Sequence, residues 1–257
     1  MDTVGILPAA GLCSRWNGTF KELLPIGENR WVIDSSIDSM KAAGISDFIL
    51  VSSPQKISSH IQHFSKEKYN NINVSYVIQY SPTGLYEAIK LALKTARNFN
   101  RFIFTMPDTI ISNIACINEL NILNYSGNRL KLTLGTFTTS TPERFGILRK
   151  SITSGIDSSE AYSDFEIVDK PDVSKVKCDS WFSFLDEKIH FTAWGMAGWT
   201  DEFSTFVLNS TDITSIGDAF NKYNKLNKTK CLNSFMDAYV DLASWKDYVQ
   251  WLKENIK

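Results

Sequence analysis

The stretch GILPAAGLCSRWNGTFKELLPIG, residues 5–27, is the most informative part of this chain for its fold. Together with Val4 it begins as a short apolar run, which is typical of a buried β-strand. Small residues follow at 9–11, so the backbone of this loop can approach a ligand closely. Open α/β sheets bind ligands in the loops at the carboxyl ends of their strands. The stretch therefore predicts a ligand-binding loop directly after the first strand.

Two cationic residues, Arg15 and Lys21, lie six positions apart on the same loop. Arginine can fork onto two phosphate oxygens and lysine acts as a point charge, so the pair suits a polyphosphate. The loop matches neither the P-loop motif nor the GxGxxG dinucleotide fingerprint. A glycine-containing turn with two solvated cations remains the alternative interpretation.

Short apolar runs alternate with amphipathic helical patterns through the first half of the chain. This alternation is typical of βαβ units and a mostly parallel sheet. Gly44 is predicted to end the first helix. The second helix is predicted to be polar, with His60 and His63 on its polar face. The predicted strands are 4–8, 48–52, 74–79 and 102–106, and the predicted helices are about 33–43, 56–68 and 85–96.

The second half of the chain is richer in β-type segments, at 132–138, 146–148, 165–169 and 189–194. Helices are predicted at about 218–227 and at the end of the chain, where Ser244 and Asp247 have capping-box spacing. We therefore expect one α/β domain over 1–257. Its sheet should be Rossmann-like, mixed and mostly parallel, and flanked by helices. A smaller β-rich lobe should begin near residue 131.

Composition and charge limit the classes of function. The 257 residues are 43% hydrophobic and 21% charged, which suits a globular chain with a full core. The 27 basic and 28 acidic residues form no block of like charge, which argues against nucleic-acid and membrane-surface partners. Apolar runs are far shorter than the roughly 18 residues of a membrane span, and the start lacks a signal-peptide pattern. We expect a cytoplasmic protein with a small-molecule partner.

Several further segments, together with the first loop, resemble the sugar-phosphate nucleotidyltransferase family in the family's own order. The loop itself resembles the signature in which L-A-A-G leads through G-x-R to K-x-L-L-P. The other similar segments are VIQYSPTGLYEAI (77–89), MPDTI (106–110), RFGIL (144–148), VDKP (168–171), AGW (197–199), GDAFNKY (217–223) and VDLASWKDY (240–248). Cys13 and Ser14 depart from the usual Gly-Thr, and the loop is compact, as in molybdenum-cofactor-type nucleotidyltransferases.

The resemblance implies a reaction and a cofactor. A phosphate oxygen of a phosphorylated acceptor attacks the α-phosphorus of a nucleoside triphosphate, and pyrophosphate leaves with Mg²⁺ bound. Such transfers depend on positioning and charge neutralisation rather than on a protein nucleophile. The family's halves would be a nucleotide-binding half over about 1–130 and an acceptor-binding half over about 131–257.

The resemblance also assigns roles to particular residues. Catalytic roles fall to Arg15, Lys21, Asp108 and Lys170, and Mg²⁺ ligation falls to Asp108 and Asp218. Without the family, Asp108 is a strand-end turn residue, and Asp218 is an acidic residue favoured by a helix dipole. The nucleotide-binding set is Ala9, Ala10, Gly11, Leu12, Arg15, Lys21, Gln79, Pro82 and Gly84, and the acceptor-binding set is Gly146, Asp169, Lys170 and Trp199.

The implied function is condensation of a nucleoside triphosphate with a sugar 1-phosphate, which gives an NDP-sugar for surface polysaccharide or glycoconjugate synthesis. Asp169 replaces the family's usual Glu, and Ala243 and Ser244 replace its Gly-Thr. These departures fall on the acceptor side. One alternative is therefore a cytidylyltransferase acting on a non-sugar phosphate or phosphonate, and another is a non-catalytic nucleotide-binding regulatory protein. The base, the acceptor and the oligomeric state stay open, with a homo-oligomer among the options.

Overall fold

The computed structural model describes residues 2–111, 132–150, 165–172, 182–185, 188–227, 231–235, 239–242 and 244–256. The strands in these ranges are β1 (Thr3–Pro8), β2 (Pro25–Gly27), β3 (Arg30–Trp31), β4 (Asp47–Ser52), β5 (Asn73–Ile78), β6 (Arg101–Thr105), β7 (Thr109–Ile111), β8 (Leu132–Thr139), β9 (Gly146–Lys150), β10 (Phe165–Asp169), β11 (Phe182–Leu185), β12 (Lys188–Thr200), β13 (Cys231–Phe235) and β14 (Tyr239–Asp241). The α-helices are α1 (Val32–Ala42), α2 (Ile57–Phe64), α3 (Leu85–Thr95), α4 (Asp201–Asn209), α5 (Ile216–Asn227) and α6 (Trp245–Asn255).

The central sheet has the strand order β5-β4-β1-β6-β12-β9-β10. Its first four strands are parallel, with β1 between β4 and β6. The long strand β12 runs antiparallel to β6 and also pairs with β8, β9 and β11. Helices cover the sheet, so the predicted fold class, α/β with a mixed sheet and a Rossmann-like parallel nucleus, is confirmed.

Strand β1 is buried on both of its faces, which explains its continuous apolar sequence. Val4 and Ile6 belong to one hydrophobic cluster with residues of α3, α4 and α5. Leu7 belongs to the opposite cluster with residues of α1 and α2. Because helices press on it from both sides, the strand holds the following loop at a fixed place on the sheet edge.

The first helix ends where the sequence predicts. Gly44 has a φ of +81°, in the left-handed region that favours glycine. Its N–H donates to Lys41 O at 2.9 Å, and Ile45 N–H donates to Met40 O at 3.0 Å. This pair of hydrogen bonds is a Schellman motif, which satisfies the last carbonyls of the helix.

The prediction of an exposed polar face on α2 is wrong. His60 and His63 are both buried. His60 Nε2 lies 3.0 Å from Glu22 Oε1, and His63 Nε2 lies 3.1 Å from Asp34 Oδ1. The helical spacing of these histidines is right, but their carboxylate partners come from segments 29 to 38 residues earlier, which a local pattern does not reveal.

The last helix packs on the N-terminal loop. Ser244 accepts a hydrogen bond from Asp247 N, so the predicted cap is confirmed. The ring of Trp245 lies 4.7 Å from that of Trp16, and Tyr248 Oη donates to Pro25 O at 2.5 Å. Across the described ranges, no helix combines the length and hydropathy needed to cross a membrane. The division into two halves near residue 130 stays a prediction, because 112–131 lie outside the described residues.

Gly5 provides a test of how tightly β1 is packed. A Cβ at this position would lie 2.7 Å from both Met40 Sδ and Phe48 Cδ1. We expect Gly5→Ala to lower the free energy of unfolding by about 1–3 kcal/mol through overpacking. Gly27→Ala is the matched control, because its Cβ would meet only Arg30 Cβ at 3.8 Å. Urea unfolding measures both variants, and equal midpoints would contradict the packing argument.

Candidate active site

A cavity of about 280 Å³ lies where β1 and β6 end. Its wall combines most of the loop 8–16 with Lys21, Glu22 and Lys56 and with the turn 106–108 after β6. The carboxyl ends of neighbouring parallel strands meet at one sheet edge, and ligands bind there. The structure therefore brings the predicted loop, Lys21 and Asp108 together at one cavity.

The loop after β1 offers backbone donors. Within the described part of the chain, no hydrogen bond engages the N–H groups of Ala10, Gly11 and Leu12. Free N–H groups beside a cation form the kind of site that binds phosphate. Arg15 lies in a short 3₁₀ turn of this loop, but its side chain is outside the described part, so its phosphate contact stays a prediction.

Lys21 bridges two carboxylates from distant parts of the chain. Its Nζ lies 3.0 Å from Asp108 Oδ2 and 3.1 Å from Asp241 Oδ1. Burial would lower the pKa of Lys21, but the charges of the two carboxylates outweigh burial and raise that pKa. Burial would raise the pKa of Asp241, but the charge of Lys21 and the hydrogen bond from Arg144 lower it. Lys21 and Asp241 are therefore both charged at neutral pH.

Arg144 fixes the second carboxylate. Its Nη2 donates to Asp241 Oδ2 at 2.8 Å and to Asp241 O at 3.2 Å. The two donations leave Oδ1 facing Lys21. Neither Arg144 nor Asp241 is among the site residues that the sequence predicts. Both lie in segments that resemble family motifs, RFGIL and VDLASWKDY, and a carboxylate directly after the short run Tyr239–Val240 was the available signal.

One carboxylate of the site offers an oxygen that fits a Mg²⁺ ion. Asp108 Oδ1 is a buried atom without a hydrogen-bond partner, although the other oxygen of the same carboxylate binds Lys21. Mg²⁺ takes oxygen ligands and is commonly held by one or two carboxylates while phosphates and water complete its octahedron. Among the described residues, no group of three or more His, Cys, Asp or Glu side chains could hold a metal. The donor set therefore suits an ion that arrives with a phosphorylated ligand.

The prediction that Asp218 is the second metal ligand needs correction. Asp218 lies in the first turn of α5, where its N–H donates to Ser215 Oγ at 3.0 Å. Its carboxylate lies 3.6 Å from Lys222 Nζ, whereas Lys21 Nζ, beside Asp108, binds Asp241. The alternative interpretation, an acidic residue at a helix start, describes its position. Asp241 is the carboxylate that the structure brings to Asp108.

The residues assigned to base recognition form a turn after β5, outside the wall of this cavity. Gln79 Nε2 donates to Gly84 O and to Thr83 Oγ1, each at 3.1 Å. Gly84 has a φ of +97°, which requires glycine, and a Cβ there would meet nothing within 4 Å. Pro82 is exposed on the same turn. Gln79 thus holds the turn that presents Gly84 to open space, and base contact by these residues stays a prediction.

The acceptor-side residues lie together at one end of β9 and β10. Gly146 pairs with Asp169, and Lys170 follows with its N–H donating to Phe145 O at 2.9 Å. Asp169 and Lys170 are both exposed. A side chain at position 146 would collide with the indole of Trp194, so packing alone requires glycine there. Packing against Trp194 therefore explains the glycine at position 146. The acceptor contacts of these residues stay predictions.

The prediction that Trp199 lies beside the acceptor is wrong. Its side chain is 0% exposed. The ring stacks on Phe102 with a centroid distance of 6.1 Å, and Nε1 donates to Ser204 Oγ at 3.0 Å. A ring that is enclosed by the core on every side cannot serve as a platform for a ligand.

Comparisons with known proteins bear on the family and on the fold. A family model described as nucleotidyl transferase matches residues 17–255. A glucose-1-phosphate thymidylyltransferase structure from Bacillus anthracis, with sucrose, shares a TM-score of 0.74 at 17% identity over 98% of this chain and 95% of that chain. A UDP-glucose pyrophosphorylase structure with UDP-glucose has a TM-score of 0.74 at 17% sequence identity. The match covers 99% of this chain and 98% of that chain.

A UTP-bound UGPase from Acinetobacter baumannii shares a TM-score of 0.71 at 17% identity over 99% of this chain and 93% of that chain. No curated protein sequence matches significantly. At this identity the solved structures show the fold, whereas the family model spans most of the chain and shows the family. The chain therefore belongs to the nucleotidyl transferase family, as its motifs indicate.

Proposed function

We propose that this nucleotidyltransferase joins a nucleoside triphosphate to a sugar 1-phosphate and releases pyrophosphate, supplying an NDP-sugar for polysaccharide or glycoconjugate synthesis. The observation that carries the proposal is the position of Lys21, held between Asp108 and Asp241 beside free backbone N–H groups. A charged lysine, a carboxylate pair and open amide donors are the groups that a triphosphate and its metal require. The named relatives support the substrate class, because their structures hold UTP and UDP-glucose.

The proposed mechanism uses the protein groups for positioning and charge neutralisation. The N–H groups of residues 10–12 bind oxygens of the triphosphate, and Lys21 neutralises negative charge that develops as the bond to pyrophosphate breaks. Asp108 and Asp241 would hold Mg²⁺, which neutralises triphosphate charge when it is bound. Lys170 orients the acceptor phosphate for in-line attack, and Asp169 binds an acceptor hydroxyl. No side chain acts as a nucleophile, so the reaction needs no covalent intermediate.

The first experiment measures pyrophosphate release with Mg²⁺ for CTP, UTP, dTTP, GTP and ATP, each crossed with sugar 1-phosphates and non-sugar phosphates. We expect release with one nucleotide and a sugar 1-phosphate. Pyrophosphate release only with a non-sugar phosphate or phosphonate would show that the acceptor is not a sugar 1-phosphate. A triphosphate that raises the melting temperature without any turnover would indicate a binding protein. No effect of any triphosphate on turnover or melting would contradict the nucleotide site.

Asp241 and Asp218 provide a direct test of the metal assignment. We expect Asp241→Asn to raise the Mg²⁺ concentration for half-maximal pyrophosphate release by about tenfold or more, because one of two metal carboxylates is lost. Asp218→Asn, on the surface of α5, should leave that concentration unchanged. Melting temperatures of both variants control for unfolding. The opposite ranking of the two variants would restore Asp218 as the ligand.

Lys21 should act on the transition state more than on ground-state binding. We expect Lys21→Ala to lower kcat on the order of 100-fold, because a cation that neutralises developing charge is removed. Lys222→Ala is the control, since this lysine lies on the surface of α5 beside Asp212 and Asp218. Steady-state kinetics measure both variants, and near-normal kcat in the Lys21 variant would rule out the assigned role.

A further inference from the structure

A buried lysine contacts the loop after β1, residues 9–22, here called the phosphate loop, and has no part in the mechanism above. Lys56 directly precedes α2, and its side chain is 4% exposed. Its Nζ donates to Ala9 O at 3.0 Å, to Glu22 Oε1 at 2.9 Å and to Cys13 Sγ at 3.2 Å. An ammonium group has three hydrogens, so these three partners use its full donor capacity.

The three partners of Lys56 lie at the beginning, the middle and the end of the phosphate loop. Apart from the bond from Ala9 N to Val51 O, the backbone hydrogen bonds of residues 9–20 are local ones. Cys13 and Asn17 both adopt the left-handed region, with φ of 52° and 50°. Such conformations are costly for residues other than glycine and persist only where surrounding contacts hold them. Lys56 supplies contacts of this kind from 34 to 47 residues away.

The carboxylate that neutralises Lys56 is itself firmly held. Glu22 is 3% exposed, and His60 Nε2 lies 3.0 Å from the oxygen that binds Lys56. The other ring nitrogen of His60 lies 2.8 Å from Ser52 Oγ. Glu22 directly follows Lys21 in a 3₁₀ turn, so a contact that fixes Glu22 also fixes the turn that carries Lys21.

Stability alone is a weak reason for this arrangement. Replacing a buried ion pair by apolar residues of similar volume is often neutral or stabilising, because desolvation offsets the attraction. An apolar side chain, however, could not hold a carbonyl, a thiol and a carboxylate in one geometry. The arrangement is therefore better explained by the shape that it imposes on the loop.

We propose that Lys56 is a positioning residue that clamps the phosphate loop in its nucleotide-binding shape before the nucleotide arrives. This inference rests on the proposed function, because it takes the loop to be the triphosphate site. A preorganised loop binds with a smaller loss of conformational freedom, which increases affinity. None of the hydrogen bonds described for Lys56 involves Gly146, Asp169 or Lys170, so we expect the effect to be specific to the nucleotide.

The test is Lys56→Met, which keeps the length of the side chain and removes the ammonium. Without nucleotide, we expect the hydrogen-bonded loop amides of Trp16, Gly18 and Thr19 to exchange hydrogen about tenfold faster, because loop opening becomes easier. With the pair of substrates found by the pyrophosphate assay, we expect KM for the triphosphate to rise about tenfold. KM for the acceptor should stay unchanged, which a merely destabilised protein would not produce selectively.

Two further variants separate positioning from stability. Lys56→Met leaves Glu22 buried beside His60 alone, whereas the double variant Lys56→Met with Glu22→Gln removes both charges. We expect the double variant to recover melting temperature but to keep the fast loop exchange and the raised KM. If the single variant does not fold, the double variant alone provides the test. Lys68→Met is the matched control, because Lys68 binds the buried Asp34 at 2.6 Å in the other histidine network. That control should lower melting temperature without affecting the loop.

The outcomes distinguish this inference from the proposed function. Unchanged loop exchange and unchanged KM in both Lys56 variants would overturn it, and so would recovery of KM together with melting temperature in the double variant. An inactive substrate panel would overturn the proposed function, and the exchange measurement on the nucleotide-free protein would then decide on the clamp by itself. Faster exchange confined to the loop supports the clamp in either case.

Discussion

The ion pairs of Lys21 with Asp108 and Asp241 are the interaction on which the site depends. They join a turn after the first strand, the end of β6 and the strand β14, which are separated by 87 and 220 residues in sequence. Two partly buried carboxylates at one place repel each other unless a cation lies between them. The lysine therefore makes the meeting of these segments favourable, and the meeting creates the site.

The surrounding fold supplies the rigidity that such a charged centre needs. Parallel strands buried on both faces hold the loop after β1 and the turn after β6 at one edge. The short antiparallel pair of β7 with β14 places Asp241 opposite Thr109, next to Asp108. Arg144 then ties the same carboxylate to the segment that leads into β9. The turn that carries Lys21 and the segment that carries Arg144 thus meet at a single aspartate.

Local sequence patterns predict the first half of the fold well because its elements are determined by the spacing of apolar residues and by residues that end helices and strands. The strands β1, β4, β5 and β6, the helix α3 and the stop at Gly44 follow from apolar runs, helical spacing and a glycine. The loop, Lys21 and Asp108 could be found because motif resemblance and strand-end position point to the same residues.

Properties that depend on distant partners could not be predicted in this way. His60 and His63 read as polar surface because their carboxylates come from other elements. Asp218 and Asp241 both lie in motif-like segments, and only the three-dimensional structure shows which one shares Lys21 with Asp108. Trp199 is a core residue because Phe102 and Phe203 enclose it, and these contacts leave no periodic signal in its own strand.

The contact between the last helix and the first loop also bears on the order in which the protein is built. During synthesis the N-terminal part of a chain emerges and begins to fold first. The four parallel strands and the helices α1, α2 and α3 are complete by residue 105, but Asp241 and the aromatic rings that pack on Trp16 emerge more than 130 residues later. The nascent chain therefore has four parallel strands long before it has a complete charged centre.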